Sequence, residues 1–287
     1  MDIGQSLSFS AKRFKEANLP SAALDGRLLL SYVLSKPVEY LLLNFDRILS
    51  PLEQERFLKL VETRSSHKPM AYILGYKEFY GRIFKLNDKV LIPRPDTETL
   101  VDAVLTQLTI PDPQILELGC GSGCLIISLL LEINEAQGVA CDIDEDAISI
   151  MQENALVHKV DDRLEVTQSN WFNNIKNRKF DIIVCNPPYI SEHEKPLMSQ
   201  ETVLYEPHLA LFAIDNGLEA YKIIASQAAT YLNYKGELFL EVGFDQMEAV
   251  KEIFTSCGFN FKTAHKDLGG HYRVANFTLC DLKTIDI

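Results

Sequence analysis

Hydrophobic positions change their period twice along the chain. Up to about residue 72 they recur at helical spacing. Leu7, Ala11, Phe14 and Ala17 fall on one face of a segment that ends before Pro20, and Leu24, Leu28 and Tyr32 on one face of the next, with Ser21 placed to cap it. Ser50-Pro51-Leu52-Glu53 reads as a capping box with proline at the first helical position, and Phe57, Leu60 and Val61 follow on one side. Between Gly75 and Pro95 the period shortens. Glu78 to Leu86 partly alternates, Asn87-Asp88 is turn-like, and Lys89-Val90-Leu91-Ile92 follows, a pattern that predicts a β-hairpin. From about Pro113, strand-length apolar runs alternate with helical ones. Strands are expected at Gln114 to Leu118, Gly138 to Asp142, Leu164 to Thr167, Phe180 to Cys185 and Glu237 to Val242.

Such alternation predicts a mostly parallel sheet with helices on both faces. The last two runs, Phe259 to Thr263 and Arg273 to Leu279, are joined too closely for a crossover helix, so they should pair as an antiparallel edge. The expected architecture is α/β and Rossmann-like. A small all-helical domain spans 1–73, a β-hairpin linker 74–95 and the α/β domain 96–287.

Composition narrows the picture only a little. The 287 residues are 47% apolar and 24% charged, with no run near the ~20 apolar residues of a membrane helix and no long apolar segment at the N-terminus. A cytoplasmic protein without membrane association is expected. The formal charge of -12 disfavours a phosphate-backbone binder, so no direct nucleic-acid binding is expected. The six cysteines form no C-x-x-C pair and no histidine cluster accompanies them. They read as reduced small hydrophobes, with no metal site.

Four segments carry candidate chemistry. Gly119-Cys120-Gly121-Ser122-Gly123 lies where a strand turns into a helix, so its backbone can touch a ligand and the helix N-terminus offers N–H groups. Cys124 stands where the dinucleotide fingerprint needs a glycine, which points instead to S-adenosylmethionine (SAM). Asp142 ends the next strand, at the distance where a carboxylate grips ribose hydroxyls, and Asp144 reads as a helix cap. Asn170 and Trp171, the only tryptophan, follow the third strand and suit an adenine: one as a hydrogen-bond partner, the other as a flat neighbour.

The sharpest segment is Asn186-Pro187-Pro188-Tyr189, after a buried strand. Two prolines remove backbone donors and stiffen the chain. The Asn186 side-chain oxygen and the Pro187 carbonyl remain as two fixed acceptors for a planar NH2 group, and Tyr189 can stack on its flat face. Acceptors set in advance stabilise the charge that nitrogen gains as it attacks a methyl group. The irregular stretch from Ile190 to Asn216, with Glu206, is long enough to imply a functional loop beside this motif. Glu241 ends the fifth strand on the same edge, where structural and site-lining roles are equally open.

Together these residues resemble the HemK/PrmC family, protein-glutamine methyltransferases of peptide chain release factors. The resemblance also takes in Ala71-Tyr72-Ile73-Leu74-Gly75, Glu78-Phe79-Tyr80-Gly81, Leu91-Ile92-Pro93-Arg94-Pro95-Asp96-Thr97-Glu98, Tyr205-Glu206-Pro207 and Asp267-Leu268-Gly269-Gly270. It implies a helical substrate-recognition domain, a hairpin linker and a class I methyltransferase domain. It implies SAM as methyl donor, S-adenosyl-L-homocysteine as product and class 1 release factors as protein partners. By the same resemblance Gly119, Cys120, Gly121, Ser122, Gly123 and Asp142 bind SAM, Trp171 flanks adenine, and Asn186, Pro187, Pro188 and Tyr189 hold the glutamine of a Gly-Gly-Gln motif. Asn186 borders both ligands, and Glu206 is a further candidate for the substrate. The family usually has Asp at the position of Asn170. A glutamine of a ribosomal protein and an adenine amino group remain alternative acceptors.

Overall fold

The computed structural model describes residues 1–176 and 178–280. They form two compact units. The first comprises Met1–Tyr76 with Met198–Tyr205; the second comprises Lys77–Leu197 and the chain from Glu206 onward.

The first unit is a helical cluster around Ile3, Phe14, Leu29, Leu30, Leu41, Phe57 and Val61. Its helix starts follow local chemistry. Ser50 and Glu53 cap each other's backbone N–H groups at the helix Pro51–Ser65. Asp2 and Gln5 do the same at Ile3–Glu16. The inner face of Ala22–Leu34 differs from the predicted one: Leu24 and Tyr32 are exposed, and Ala22, Asp25, Gly26, Leu29, Leu30 and Leu34 are buried. Two features turn the helix. Gly26 meets Ser10, whose Oγ would stand 2.4 Å from an added Cβ. Asp25 accepts from the buried Arg64 at 2.7 Å, and Arg64 also reaches Glu201 at 2.7 Å. Hydrophobic period alone is blind to a face that buries an ion pair.

A hairpin follows, β1 (Tyr76–Phe79) and β2 (Arg82–Lys85), and all of it from Lys77 belongs to the second unit. Its turn is Tyr80-Gly81, with φ of 49° and 70°. Positive φ at both positions is what a two-residue I′ loop requires. The expected pairing around Asn87-Asp88 is therefore corrected: 89–92 is not a strand. It runs past the hairpin as irregular chain, with Val90 and Ile92 buried.

Seven further strands make one sheet: β3 (Gln114–Leu118), β4 (Gln137–Asp142), β5 (Leu164–Gln168), β6 (Phe180–Cys185), β7 (Leu232–Glu241), β8 (Phe259–Lys266) and β9 (Tyr272–Leu279). Their order is β5-β4-β3-β6-β7-β9-β8. The first five are parallel; β9 runs antiparallel to β7, and β8 to β9. Residues of the central strands alternate between two cores. Ile115, Ile182, Val184 and Phe239 join helices Glu98–Gln107, Cys124–Glu132 and Glu145–His158 on one face. Leu116, Leu118, Ile183, Cys185 and Leu240 join Glu219–Gln227 and Met247–Ser256 on the other. Each fully buried large apolar side chain contributes roughly 1.5–3 kcal/mol, so this double-faced burial dominates the stability of the unit.

Strand order reverses between β3 and β6, which makes the gap at their carboxyl ends a topological switch point, the usual ligand crevice of open α/β sheets. No helix of the described residues is long and apolar enough to cross a membrane.

Candidate active site

One rung of the sheet positions the site. Leu118 pairs with Cys141 on one side and Cys185 on the other, and Cys185 pairs with Leu240. The next residue on each strand is Gly119, Asp142, Asn186 or Glu241. Four segments that are far apart in sequence therefore leave the sheet at one level. Of the cysteines in and near this rung, burial pushes the Cys185 and Cys120 thiols well up and that of Cys141 to about 12. They are packing groups, not nucleophiles.

A cavity of about 360 Å³ opens above this level, within the size range of small-molecule sites. Gly119, Gly121, Asp142, Asn170, Trp171, Asn186 and Pro188 line it. Cys120, Ser122, Gly123, Pro187, Tyr189 and Glu206 do not.

The three glycines of the turn have different tasks. Gly119 and Gly121 have φ of 69° and 50°, and a Cβ added to either would meet nothing within 4 Å. They give the turn its left-handed bends on the open side. Gly123 has φ 77°, and its Cβ would meet Met151 Cγ at 2.7 Å, so it lets the helix Glu145–His158 pack close. Asp142 locks the turn: its carboxylate accepts from Gly121 N at 2.8 Å and Asp144 N at 3.1 Å. Each oxygen retains a second acceptor direction for a ligand hydroxyl. Burial raises the Asp142 pKa, against those N–H groups, which lower it. Beneath the turn, the fully buried Glu117 accepts from Ile126 N at 3.1 Å, and burial drives its pKa well up. Asn154 ties the turn to the hairpin, donating to Ser122 O at 2.9 Å and Lys85 O at 3.1 Å.

Open space beside Gly119 and Gly121, a carboxylate at Asp142 and apolar walls from Trp171, Leu91 and Ile143 fit a SAM-sized ligand. Trp171 is held at φ 50°, with its carbonyl accepting from Ser169 Oγ at 2.8 Å, so the ring is offered from a constrained backbone. Asn170 is exposed at the rim.

On the other side of the crevice, Asn186 donates its Nδ2 to Thr97 Oγ1 at 3.2 Å, which leaves Oδ1 as the free end of the amide. Tyr189 donates its hydroxyl to Glu241 Oε1 at 3.1 Å.

The sequence matches the family model "Methyltransferase small domain" over residues 95–212 and "PrmC N-terminal domain" over residues 5–75. A release factor glutamine methyltransferase of Agrobacterium fabrum is 36% identical, over 96% of this chain and 96% of that protein. The chain belongs to the release factor glutamine methyltransferase family. It is also 46% identical to a bifunctional methyltransferase of Rickettsia felis, over 98% of this chain and 58% of that protein. The chain thus spans a little over half the length of such relatives. Among solved structures, the hMettl16 catalytic domain superposes with a TM-score of 0.59 at 15% identity, covering 88% of this chain and 91% of that one. A methyltransferase from Pyrococcus furiosus gives 0.54 at 17% identity, covering 70% and 90%. Both share the class I methyltransferase fold.

Two features of this release factor glutamine methyltransferase family member were not assigned from its sequence. Thr97 is buried and meets Asn186. Lys89, Val90 and Leu91 line the cavity, although periodicity had put them in a strand. A third residue has a task other than the one expected. Glu206 was a candidate for the substrate, but it is buried, and its carboxylate accepts from Arg94 at 2.6 Å and Ile92 N at 3.2 Å. It fixes the 92–94 segment. The motifs around Arg94 and Glu206 had marked both halves of this contact without revealing that they meet.

Proposed function

We propose that the chain transfers a methyl group from SAM to the side-chain amide nitrogen of the glutamine in the Gly-Gly-Gln motif of class 1 peptide chain release factors. The observation that carries this reading is the Asn186 amide, which lines the cavity and turns its NH2 end to Thr97, so that its oxygen is the free end. An acceptor there suits a substrate NH2 group, and family membership supports glutamine as its source.

An amide nitrogen is a poor nucleophile because its lone pair is delocalised into the carbonyl. SAM supplies an electrophilic methyl group on a sulfonium. The N–C bond forms as the C–S bond breaks, leaving the N-methyl amide, S-adenosyl-L-homocysteine and a proton lost to water. Asn186 Oδ1 and the Pro187 carbonyl accept the two N–H bonds, stabilise positive charge on nitrogen and fix the line of attack. Pro188 keeps the loop rigid and free of competing donors, and Tyr189, bonded to Glu241, fixes the end of the loop. The SAM side is assigned to the turn Gly119 to Gly123 with Asp142, and adenine to Asn170 and Trp171. The helical unit is assigned to recognition of the release factor, with boundaries near 73 and 95. No direct contact with nucleic acid is part of this reading.

Radiolabelled SAM incubated separately with purified release factors, ribosomal proteins and nucleic acid tests it. Label is expected on the release factor, and not on a variant whose Gly-Gly-Gln glutamine is replaced by alanine. Label on nucleic acid or a ribosomal protein alone would overturn the release-factor assignment.

A further inference from the structure

The acceptor loop has little backbone of its own to tie it down. Pro187 and Pro188 have no N–H to give, and β6 ends at Cys185. Each proline also fixes its φ, so a shift at Tyr189 is passed on to the Pro187 carbonyl rather than absorbed. What holds Tyr189 therefore decides where the two acceptor oxygens stand.

Tyr189 is gripped at both ends. Its hydroxyl donates to Glu241 Oε1 at 3.1 Å. Its backbone carbonyl accepts from Gln246 Nε2 at 2.9 Å, fifty-seven residues further on. The same NH2 group also donates to Asn216 O at 3.4 Å, and Gln246 Oε1 accepts from Gly243 N at 3.1 Å. A carbonyl can only accept and a backbone N–H can only donate, so the Gln246 amide has one workable direction and uses both of its ends.

The base of this side chain is rigid. Gln246 precedes the helix Met247–Ser256, and its own carbonyl accepts from Val250 N at 2.9 Å. Met247, Val250 and Phe254 bury that helix in the core. The turn that supplies Asn216 is shaped for the contact. Asp215, Asn216 and Gly217 have φ of 56°, 54° and 82°. A Cβ on Gly217 would stand 2.0 Å from Tyr189 O and 2.7 Å from Gln246 Nε2, so the turn, the loop end and the amide meet with no room for a side chain. Ile190 continues the seam: its N–H donates to Leu211 O and its carbonyl accepts from Ala213 N, both at 3.0 Å.

We propose that Gln246 is a positioning residue for methyl transfer: its amide clamps the Tyr189 carbonyl to the turns at Asn216 and Gly243, and so holds the Asn186 and Pro187 oxygens at the acceptor nitrogen. The inference rests on the amide-methylation reading above. Gln246 acts through the loop and does not touch the substrate.

The test uses the full chain, a Gly-Gly-Gln release factor and saturating SAM. Gln246→Glu keeps the shape and the acceptor for Gly243 N, but at neutral pH it turns a carboxylate on two carbonyls. Its kcat should fall about tenfold or more, on the scale of about 100-fold for misplaced reacting groups. Gln246→Met fills the space without donor or charge and should lose less. SAM affinity by calorimetry should stay at the wild-type value in both, because the donor side stands on β3 and β4. Gln246→Met added to Asn186→Ala should cost less than it does alone, because the clamp works through the acceptors.

A pH profile separates the clamp from mere filling of space. Once protonated, the carboxyl introduced by Gln246→Glu has a hydrogen for Tyr189 O and an oxygen for Gly243 N. Facing carbonyls raises its pKa above the ordinary value of about 4.3. The ratio of Gln246→Glu to wild-type kcat should rise as pH falls from about 7 towards about 5, and the Gln246→Met ratio should stay flat. Should Gln246→Glu fail to fold, Gln246→Met alone and with Asn186→Ala carries the test. Wild-type kcat in both variants, a flat ratio in Gln246→Glu, full additivity with Asn186→Ala, or SAM affinity falling in step with kcat would each overturn the inference. If the wild-type chain methylates a different NH2 acceptor, the glutamine reading fails, and the same variants on that acceptor still decide the clamp.

Discussion

The turn after β3 and the turn after β6 leave the sheet one residue past paired positions, Leu118 and Cys185, yet they are built on opposite chemistry. Gly119 to Gly123 works through backbone conformation: three residues at positive φ, two of them beside open space, braced by the carboxylate of Asp142. Asn186 to Tyr189 is short of donors: it has two prolines, and an asparagine whose NH2 end is turned to Thr97. One loop suits a ligand with hydroxyls and a carboxylate of its own; the other suits a planar NH2 group. In the proposed assignment the two halves of the transfer site are neighbours in the sheet and should be independent in what damages them.

The largest test of that independence is at the acceptor loop. Asn186→Ala should cost about 100-fold in kcat on a Gly-Gly-Gln substrate, because one fixed acceptor is lost and the attack geometry loosens. SAM affinity should hardly change. Asn186→Asp keeps an acceptor and should fall less. Near wild-type methylation by Asn186→Ala at saturating SAM would break the comparison, since the glutamine would then be held elsewhere.

The reverse pattern is expected at the donor loop. Asp142→Ala removes the acceptor of Gly121 N and a candidate ribose contact. Hydrogen bonds to charged groups are worth about 1.5–3 kcal/mol, so the SAM dissociation constant should rise by roughly 10- to 100-fold. Once SAM is saturating, kcat should be little changed. Unchanged SAM affinity by calorimetry would remove Asp142 from the site.

Within the glycine turn the comparison can be sharpened. Gly123→Ala combines left-handed strain of about 1–2 kcal/mol with overpacking against Met151, roughly 1–3 kcal/mol more. Gly121→Ala carries the strain without the clash. Denaturant unfolding should therefore rank Gly123→Ala as the more destabilised. Equal losses would mean that the packing of the helix Glu145–His158 adjusts freely.

The smallest effect is electrostatic. Glu117, Asp142 and Glu241 all have pKa values raised, chiefly by burial. Between the unfolded carboxylate pKa, about 4, and these raised values, the folded chain binds more protons than the unfolded one. Their contribution is full below the unfolded pKa and is lost as pH rises through the folded values. The melting temperature of the ligand-free chain should thus fall from mildly acidic towards neutral pH, and Glu117→Gln should flatten that fall. A Glu117→Gln profile parallel to wild type would assign the trend to other groups.

Much of this was readable before the structure. The strand and helix alternation, the antiparallel closing pair, the capping box at Ser50 and the two chemical loops follow from local pattern, because turns, caps and buried strands are set by neighbours in sequence. The misread parts share one cause. The helix Ala22–Leu34 is turned by Asp25 meeting Arg64, thirty-nine residues on. The 89–92 segment looked like a strand because it is apolar, but its place is at the cavity, and Glu206 fixes the chain just beyond it from more than a hundred residues away.

By itself, then, the sequence determined which residues could turn, cap, stiffen or accept: Gly121 because only glycine takes its φ cheaply, Pro187 and Pro188 because they have no N–H, and Asn186 because its side chain carries an oxygen. Only the tertiary structure decided which way that oxygen points. Strand register sets Asn186 and Glu241 at one level, and the helix entered at Thr97 brings a hydroxyl to Asn186. An amide is nearly symmetric in shape, so its direction is a property of its partners, and those partners come from strands and helices that the chain brings together only by folding.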